Sequence, residues 1–259
     1  MRLTSILTVS ALATAIVSPM VMADTSSVSP EQRKQFEQII HDYLLSSPEV
    51  LMEASQALQA KQQLAQQKEA KSAIIPNTVQ LLNEKLAVDG NPKGDVTVIE
   101  FFDYQCGHCK KMKPVIAEII AKNKNVRVVY KEFPIFGKTS EIASKAALAA
   151  GMQGKYLAMH DALLQLDKSI TKEIVDETAK SLGLDMAKFQ LDMDSKVVTD
   201  ELDANRKLAE KMHLMGTPAF IVLATPAGAF KAGTEPGFIP GGTTAEVLQG
   251  LVDNATAGK

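Results

Sequence analysis

The sequence predicts a mixed α/β domain in which a block of helices interrupts the strands, preceded by separate N-terminal helices. Val96 to Phe102 and Val126 to Glu132 are β-branched and aromatic runs typical of strands, and the apolar spacing of Lys110 to Lys122 between them is helical. From Ser140 to about Leu214 the periodicity is helical, and Ala219 to Ala224 predicts a further strand. The first strand, helix and second strand form a βαβ unit, whose crossover is expected to be right-handed.

The first residues have the pattern of a secretory signal peptide. A mostly apolar run from Ile6 to Val17 follows Arg2, and a step of small or aliphatic residues ends at Ala23. We therefore expect residues 1–23 to be cleaved and the mature protein to be periplasmic. An uncleaved interfacial helix, which would associate the protein with a membrane, is the alternative.

Charge and cysteine content narrow the function classes. The chain has 28 Lys and Arg against 30 Asp and Glu, so it has no global positive field for nucleic acid. It has only two cysteines, Cys106 and Cys109. Exported proteins commonly use cysteines as structural bridges. A bridge between these two would close too small a loop to stabilise much, so their spacing favours chemistry.

Two helices are predicted before the α/β domain. Ser29 is a candidate N-cap, with Pro30 at the first helical position and Gln32 completing a capping box. A single apolar stripe follows, formed by Phe36, Ile39, Ile40, Tyr43 and Leu44. A second helix is predicted from Pro48 to about Lys71, with a glutamine-rich second half. The stripe needs a partner, which is either another chain or the catalytic domain of the same chain.

The remaining segments complete the predicted organisation. Pro76 ends the second helix, a short helix follows, and residues 89–94 have dense turn chemistry. After the strand that ends at Ala224, Pro226 to Gly228 predicts a hairpin turn, Ala229 to Ala232 its return strand, and Thr244 to Asn254 a closing helix. We divide the mature chain into an N-terminal helical segment, residues 24–75, and a catalytic domain, residues 76–259, with a helical insertion at about 140–214.

The two cysteines lie between a predicted strand and a predicted helix, in the sequence Cys106-Gly107-His108-Cys109. The free backbone N–H groups and the dipole of a helix N-terminus stabilise an anion there, and a protonated His108 favours the thiolate further. We expect Cys106 to be the exposed nucleophile. Cys109, one helical turn deeper, would resolve the mixed disulfide. Such exchange needs no metal and no organic cofactor.

Three alternatives compete with thiol exchange. A zinc half-site needs about four ligands, and besides the cysteines only His41, His108, His160 and His213 are available. A periplasmic carrier of copper or zinc would hold its soft ion with Cys106, Cys109 and His108. An envelope adhesion protein would carry the cysteines as vestiges.

The segment from Phe101 to Cys109, FFDYQCGHC, resembles the active-site segment of the DsbA-like thiol-disulfide oxidoreductases. Gly216-Thr217-Pro218 resembles their cis-proline loop. The resemblance implies a thioredoxin-like fold with a helical insertion, and a cis bond between Thr217 and Pro218 in a loop that pairs with the substrate backbone. It also implies an acidic residue beneath the cysteines, which is Glu100 here.

Glu100 would relay protons to Cys109, balanced by Lys131 on the neighbouring strand, since an unpaired buried carboxylate is forced neutral. The alternative is a strand-end glutamate that reaches solvent.

The N-terminal helices, residues 29–71, resemble an extension through which one branch of this family oligomerises, and a dimer is favoured. Thr217 before the proline is more typical of isomerase-type members. The resemblance therefore implies that the protein forms, isomerises, or both forms and isomerises disulfides in exported proteins. Its partners would be unfolded or misoxidised clients and a membrane redox protein, either a quinone-linked oxidase or a thiol reductant.

Overall fold

The computed structural model describes residues 28–84, 86–166 and 170–258. The predicted signal peptide, residues 1–23, lies outside these ranges. The chain divides into two compact units, one ending at Leu58 and the other beginning at Gln59. The boundary falls inside the second helix.

The N-terminal unit begins with the helix that the capping signal predicts. Helix α1 spans Pro30–Ser46. Ser29 Oγ accepts from the Gln32 N–H at 3.2 Å, and Gln32 Oε1 accepts from the Ser29 N–H at 3.0 Å, so the predicted capping box is present. Helix α2 spans Glu49–Ile74, three residues beyond the predicted end. The apolar side chains of α1 are exposed, among them Phe36, Ile39, Ile40 and Tyr43.

The second unit is built on a mixed five-stranded sheet with the order β1-β3-β2-β4-β5. Strands β2 and β3 are parallel, and every other neighbouring pair is antiparallel. The central strands have the bounds that the sequence predicts. The five strands are β1 Val88–Gly90, β2 Val96–Phe102, β3 Val126–Glu132, β4 Ala219–Ala224 and β5 Gly237–Ile239.

Helices cover both faces of the sheet. Between β3 and β4 lie helices α5 to α9, which confirm the predicted helical insertion. The helices of this unit after α2 are α3 Thr78–Leu82, α4 Gly107–Lys122, α5 Lys138–Gly151, α6 Tyr156–Leu164, α7 Lys172–Ser181, α8 Met186–Met193, α9 Lys196–Lys211 and α10 Ala245–Thr256. Successive side chains of a strand point to opposite faces. Val98 and Phe102 therefore join the core that contains the cysteines, whereas Ile99 and Phe101 join a second core.

Both edge strands differ from the sequence prediction. Strand β1 lies where turn chemistry was expected, because a three-residue strand with Gly90 has almost no pattern to detect. The predicted return strand at 229–232 is wrong, since β5 at Gly237–Ile239 pairs with β4 instead. Gly228 and Gly233 adopt φ values of 81° and 86°, and these left-handed conformations turn the chain away before it returns.

Candidate active site

Cys106 lies at the junction of β2 and α4. Its backbone N–H donates to the Asp103 carbonyl at 3.1 Å, which closes the turn after β2. Its side chain caps α4, because Sγ accepts the backbone N–H of Cys109 at 3.4 Å. The loop between the cysteines is thus the first turn of the helix, as predicted. The helix begins at Gly107, three residues before the stretch from Lys110 to Lys122 whose apolar spacing is helical. The Cys106 sulfur faces the free N–H groups of this helix end, where negative charge is stabilised.

The loop before β4 reaches the same site. Because β4 is antiparallel to β2, with Ala219 opposite Phe101, it begins at the edge of the sheet where β2 ends. The Thr217-Pro218 peptide bond in this loop is cis, as the family resemblance implies. Cys106 Sγ donates to the Thr217 carbonyl at 3.3 Å. The fold therefore brings together two segments that lie 111 residues apart in the sequence.

The exposure of the predicted nucleophile differs from expectation. Cys106 is 4% exposed and Cys109 2%, so neither sulfur is the open nucleophile that the sequence suggests. The physical reason is the contact with Thr217, which covers the helix end. The two cysteines are not joined by a disulfide bond. His108 is exposed on the first turn of α4.

The environment of Cys109 favours its protonated form. Burial raises the pKa of the Cys109 thiol, and the charge of Glu100 raises it further. Cys106 differs by standing at the helix cap, where it accepts a hydrogen bond from the Cys109 N–H. The two sulfurs therefore lie in unlike surroundings although they are one helical turn apart.

Glu100 lies beneath the cysteines, on the face of β2 that carries Val98 and Phe102. It is 3% exposed, which excludes the alternative of a strand-end glutamate in solvent. Burial raises the pKa of the Glu100 carboxyl group well above its ordinary value, and the charges of Cys106 and Glu132 raise it further. The proton-relay role remains a proposal.

Lys131 does not balance Glu100. Lys131 pairs with Phe101 in the β2–β3 register, so its side chain points to the opposite face of the sheet from Glu100. There its Nζ lies 3.4 Å from Glu84 Oε2 and 3.6 Å from Glu201 Oε1. The expectation of a Glu100–Lys131 pair is therefore wrong. Glu100 lies opposite Tyr130, and Lys131, one residue further along β3, points to the other face of the sheet.

A buried polar cluster occupies the same face as Glu100. Glu132, at the end of β3, accepts at Oε1 from the hydroxyls of Tyr104 at 2.9 Å and Tyr156 at 2.7 Å. The Tyr104 hydroxyl also lies 3.1 Å from His160 Nδ1. Because Tyr104 donates its hydrogen to Glu132, the ring nitrogen of His160 is the donor in that second bond. Burial lowers the pKa of His160 to about 3, so the ring is neutral.

The pH dependence of stability reports on Glu132. Burial raises its pKa from 4.5 to about 8, although the two tyrosine hydroxyls oppose the rise. The folded state then binds one more proton than the unfolded state between those pH values. Its contribution to the free energy of unfolding is full below about pH 4.5, falls as pH rises, and is lost above about pH 8.

We expect Glu132→Gln to flatten this decline, because the amide keeps the acceptor for the tyrosines without ionising. Urea unfolding at pH 5, 7 and 9 measures it, with the exposed Glu37→Gln as the matched control. Parallel pH profiles for wild type and Glu132→Gln would contradict the assignment.

Asp103 forms hydrogen bonds with three segments of the site. This role was not predicted from the sequence. Its Oδ1 accepts from the Gln105 N–H and the Ser140 hydroxyl, each at 2.7 Å. Its Oδ2 accepts from the N–H groups of Ile135 at 2.8 Å and Phe136 at 3.1 Å. The side chain is completely buried. Asp103 thus ties the cysteine turn to the loop after β3 and to the start of α5.

Sequence signals for these residues exist but are weak. Asp103 and Tyr104 lie inside the cysteine segment itself, and Glu132 is a charged residue at the end of an apolar strand, as Glu100 is. His160 falls in a helical pattern that does not distinguish a buried position from a surface one. Its burial follows from stacking among aromatic rings, with centroids 4.3 Å from Tyr130 and 5.6 Å from Tyr156.

The described residues contain neither a membrane-spanning helix nor a cluster of metal ligands. Among residues 28–84, 86–166 and 170–258, no helix combines the length and apolar character needed to cross a bilayer. Within the same ranges, no group of three or more His, Cys, Asp or Glu side chains is arranged to hold a metal ion.

Comparison with family models gives two matches. The model described as the DSBA-like thioredoxin domain matches residues 97–252, and the model of the copper resistance protein ScsC N-terminal domain matches residues 32–65. The first covers strands β2 from residue 97 onward, β3, β4 and β5, both cysteines and the helical insertion, and strand β1 lies before it. The second falls within α1 and α2.

Curated relatives include proteins of very different length. The chain is 27% identical, over 59% of its length, to Na(+)/H(+) antiporter NhaA 3 of Salinispora tropica, of which it spans only 24%. It is 31% identical, over 55% of its length, to the Thiol:disulfide interchange protein DsbA of Bordetella parapertussis, of which it covers 70%.

Solved structures agree with the family match. A thioredoxin-like oxidoreductase from Silicibacter pomeroyi is 38% identical with a TM-score of 0.62, covering 70% of this chain and 98% of that one. BcfH of Salmonella enterica Typhimurium is 31% identical with a TM-score of 0.69, covering 87% and 96%. With a family model matching more than half of its length, the chain belongs to the DsbA-like family of thiol-disulfide oxidoreductases and carries an N-terminal helical extension.

Proposed function

We propose that this protein forms and isomerises disulfide bonds in exported proteins by thiolate exchange through Cys106 and Cys109. The supporting observation is the position of the Cys106 sulfur. It caps helix α4, accepts from the Cys109 N–H and contacts the Thr217 carbonyl of the cis-proline loop. A sulfur at a helix end is stabilised as an anion, and a resolving thiol lies one turn away.

Oxidation of a client begins when a client thiolate attacks Cys106 in the Cys106–Cys109 disulfide. The S–S bond breaks, a mixed disulfide forms, and Cys109 leaves as a thiolate. Since its surroundings raise the pKa of Cys109, this thiolate takes up a proton readily, and Glu100 beneath it is the proposed relay. A second client thiolate then attacks the client sulfur and releases Cys106. Two electrons have passed from the client to the pair.

Isomerisation starts from the reduced pair. The Cys106 thiolate attacks a wrong client disulfide, which forms a mixed disulfide and releases one client thiolate. That thiolate, or one that it displaces from another client disulfide, then attacks the client sulfur of the mixed disulfide, which forms a new client disulfide and frees the Cys106 thiolate. If no such attack occurs, Cys109 resolves the mixed disulfide and leaves the client reduced. In both oxidation and isomerisation, the loop that contains Thr217 and Pro218 pairs with the client backbone.

Two assays on the full chain test this function. We expect the oxidised protein to convert a dithiol peptide to its disulfide, and the reduced protein to restore activity to a scrambled disulfide client. Failure of both reactions would exclude the function. Success in the first alone would restrict it to oxidation.

We propose that the protein acts in the periplasm on unfolded or misoxidised clients, after export directed by residues 1–23. Each oxidation leaves the pair reduced, and each failed isomerisation leaves it oxidised. A membrane partner must therefore restore the starting state, either a quinone-linked oxidase or a thiol reductant.

The N-terminal helices are proposed to assemble the protein as a homo-oligomer, with a dimer favoured. The support is the exposed apolar stripe on α1 and the ScsC N-terminal match at residues 32–65. Unpartnered apolar faces of this kind commonly mark interaction surfaces. Two catalytic domains joined in this way would suit isomerisation, which needs repeated contact with one client.

Removing the segment tests the assembly. A chain that begins at Gln59 is expected to be monomeric by light scattering, to keep dithiol oxidation and to lose most of its activity on scrambled clients. In the full chain, Ile39→Glu with Ile40→Glu should have the same effect, and Glu37→Gln should not. If the truncated chain has the same number of subunits as the full chain, this role for the helices is ruled out.

A further inference from the structure

A groove of about 410 Å³ runs beside the cis-proline loop. One wall is the second half of α2, where Gln63, Gln66 and Gln67 line the groove. The other side contains Thr217, whose carbonyl contacts the Cys106 sulfur, and the next residue, Pro218. The groove is also lined by Ala70, His213, Leu214, Met215, Phe238 and Pro240.

The second half of α2 is fixed to its own unit at its C-terminal end. Ala70 and Ile74 are buried, and Ile74 packs in the core with Leu81 and Met212. Lys71 forms an ion pair with Glu235, in the segment that leads to β5. This part of the helix is therefore held beside the loop by packing and charge.

The glutamine wall presents hydrogen-bonding groups that suit a polypeptide main chain. Positions 63, 66 and 67 follow the i, i+3, i+4 spacing of one helix face. All three side chains are exposed. Each carboxamide offers two donors and one acceptor, so it matches both the N–H and the C=O groups that an extended segment leaves unpaired.

The opposite part of the groove is mostly apolar. Leu214, Met215, Phe238 and Pro240 line it, and Met215 is 81% exposed. Among the described residues that line the groove there is no Asp, Glu, Lys or Arg, and the titratable one is His213. Methionine adapts its shape to varied partners, which suits a surface that accepts many apolar side chains. The chemistry of this groove therefore favours an uncharged, apolar-rich segment over a charged ligand.

We propose that the Gln63, Gln66 and Gln67 face of α2 is a wall of the client site. It binds the main chain of an extended client segment while the Leu214 and Phe238 side takes an apolar side chain near the client cysteine. This inference rests on the proposed function, and it assigns to α2 a part in client selection that is separate from assembly.

The test compares a peptide with a small dithiol. In the full chain, Gln63→Ala, Gln66→Ala and Gln67→Ala are combined. With oxidised glutathione as the terminal oxidant, kcat/KM is measured for a peptide with two cysteines and flanking leucines and for dithiothreitol. Dithiothreitol is too small to reach the wall. We expect the peptide-to-dithiothreitol ratio of kcat/KM to fall about five- to tenfold, since a few hydrogen bonds of modest net strength are lost.

The matched control is a triple variant on the same stretch of helix, Lys61→Ala, Gln62→Ala and Lys68→Ala, none of which lines the groove. Its ratio should equal that of the wild type. An unchanged ratio in the glutamine variant, or an equal fall in the control, overturns the inference. A wild-type protein that does not react with dithiothreitol refutes the proposed function itself, so the two failures are distinguishable.

Discussion

Cys109→Ser is expected to trap clients on Cys106 as stable mixed disulfides, whereas Cys106→Ser should trap none. Without Cys109 nothing resolves the adduct from within the protein, and the adduct persists until another thiol reaches it. Without Cys106 the remaining thiol is buried, and its raised pKa leaves little thiolate to react. Turnover in dithiol oxidation is lost in both variants, because neither can form the Cys106–Cys109 disulfide.

Non-reducing electrophoresis after acid quenching measures the trapped species, and mass spectrometry identifies the linked cysteine. The double variant Cys106→Ser with Cys109→Ser is the control for background oxidation. Equal trapping by the two single variants would contradict the assignment of Cys106 as nucleophile and Cys109 as resolving residue.

Asp103→Ala is expected to lower the free energy of unfolding by about 3–5 kcal/mol, because each buried donor left without its acceptor costs about 1–3 kcal/mol. Four donors bind this side chain, three of them backbone N–H groups that have few alternatives. For a chain of this size, the melting temperature should fall by roughly 2–4 °C per kcal/mol.

Two further substitutions separate the contributions around Asp103. Asp103→Asn keeps one acceptor and should lose less stability than Asp103→Ala. Ser140→Ala removes a single donor and should have the smallest effect of the three. A loss of less than about 1 kcal/mol for Asp103→Ala, the size of one ordinary hydrogen bond, would show that these contacts are not needed to hold the turn.

The sequence predicts the central strands well because both faces of each are buried. Strand β4 is entirely apolar, and β2 is apolar except for Thr97 and Glu100, so a buried strand is the structure that suits both. The edge strands β1 and β5 have three residues each and contain glycine, so pairing with β3 and β4 determines them and no local pattern does.

The cysteine site is partly predictable for the same reason. The position of Cys106 at a helix end follows from the local sequence, since a strand and a helix flank it directly. Its burial does not, because the covering carbonyl belongs to Thr217, far along the chain.

The wrong prediction about Lys131 has another origin. Sequence neighbours on a strand alternate between faces, and only the register of β2 with β3 shows which face each residue takes.

The hydrogen bond between Cys106 and Thr217 links the protonation of the sulfur to whether the Thr217 carbonyl has a donor. The thiol donates a hydrogen to the Thr217 oxygen, but a thiolate has none to donate. When the sulfur loses its proton, that oxygen faces an anion and gains from any incoming N–H group. Loss of the proton therefore has two effects: it makes the sulfur nucleophilic, and it leaves the Thr217 carbonyl without its donor. An arriving peptide then meets a reactive sulfur and a free main-chain acceptor next to each other.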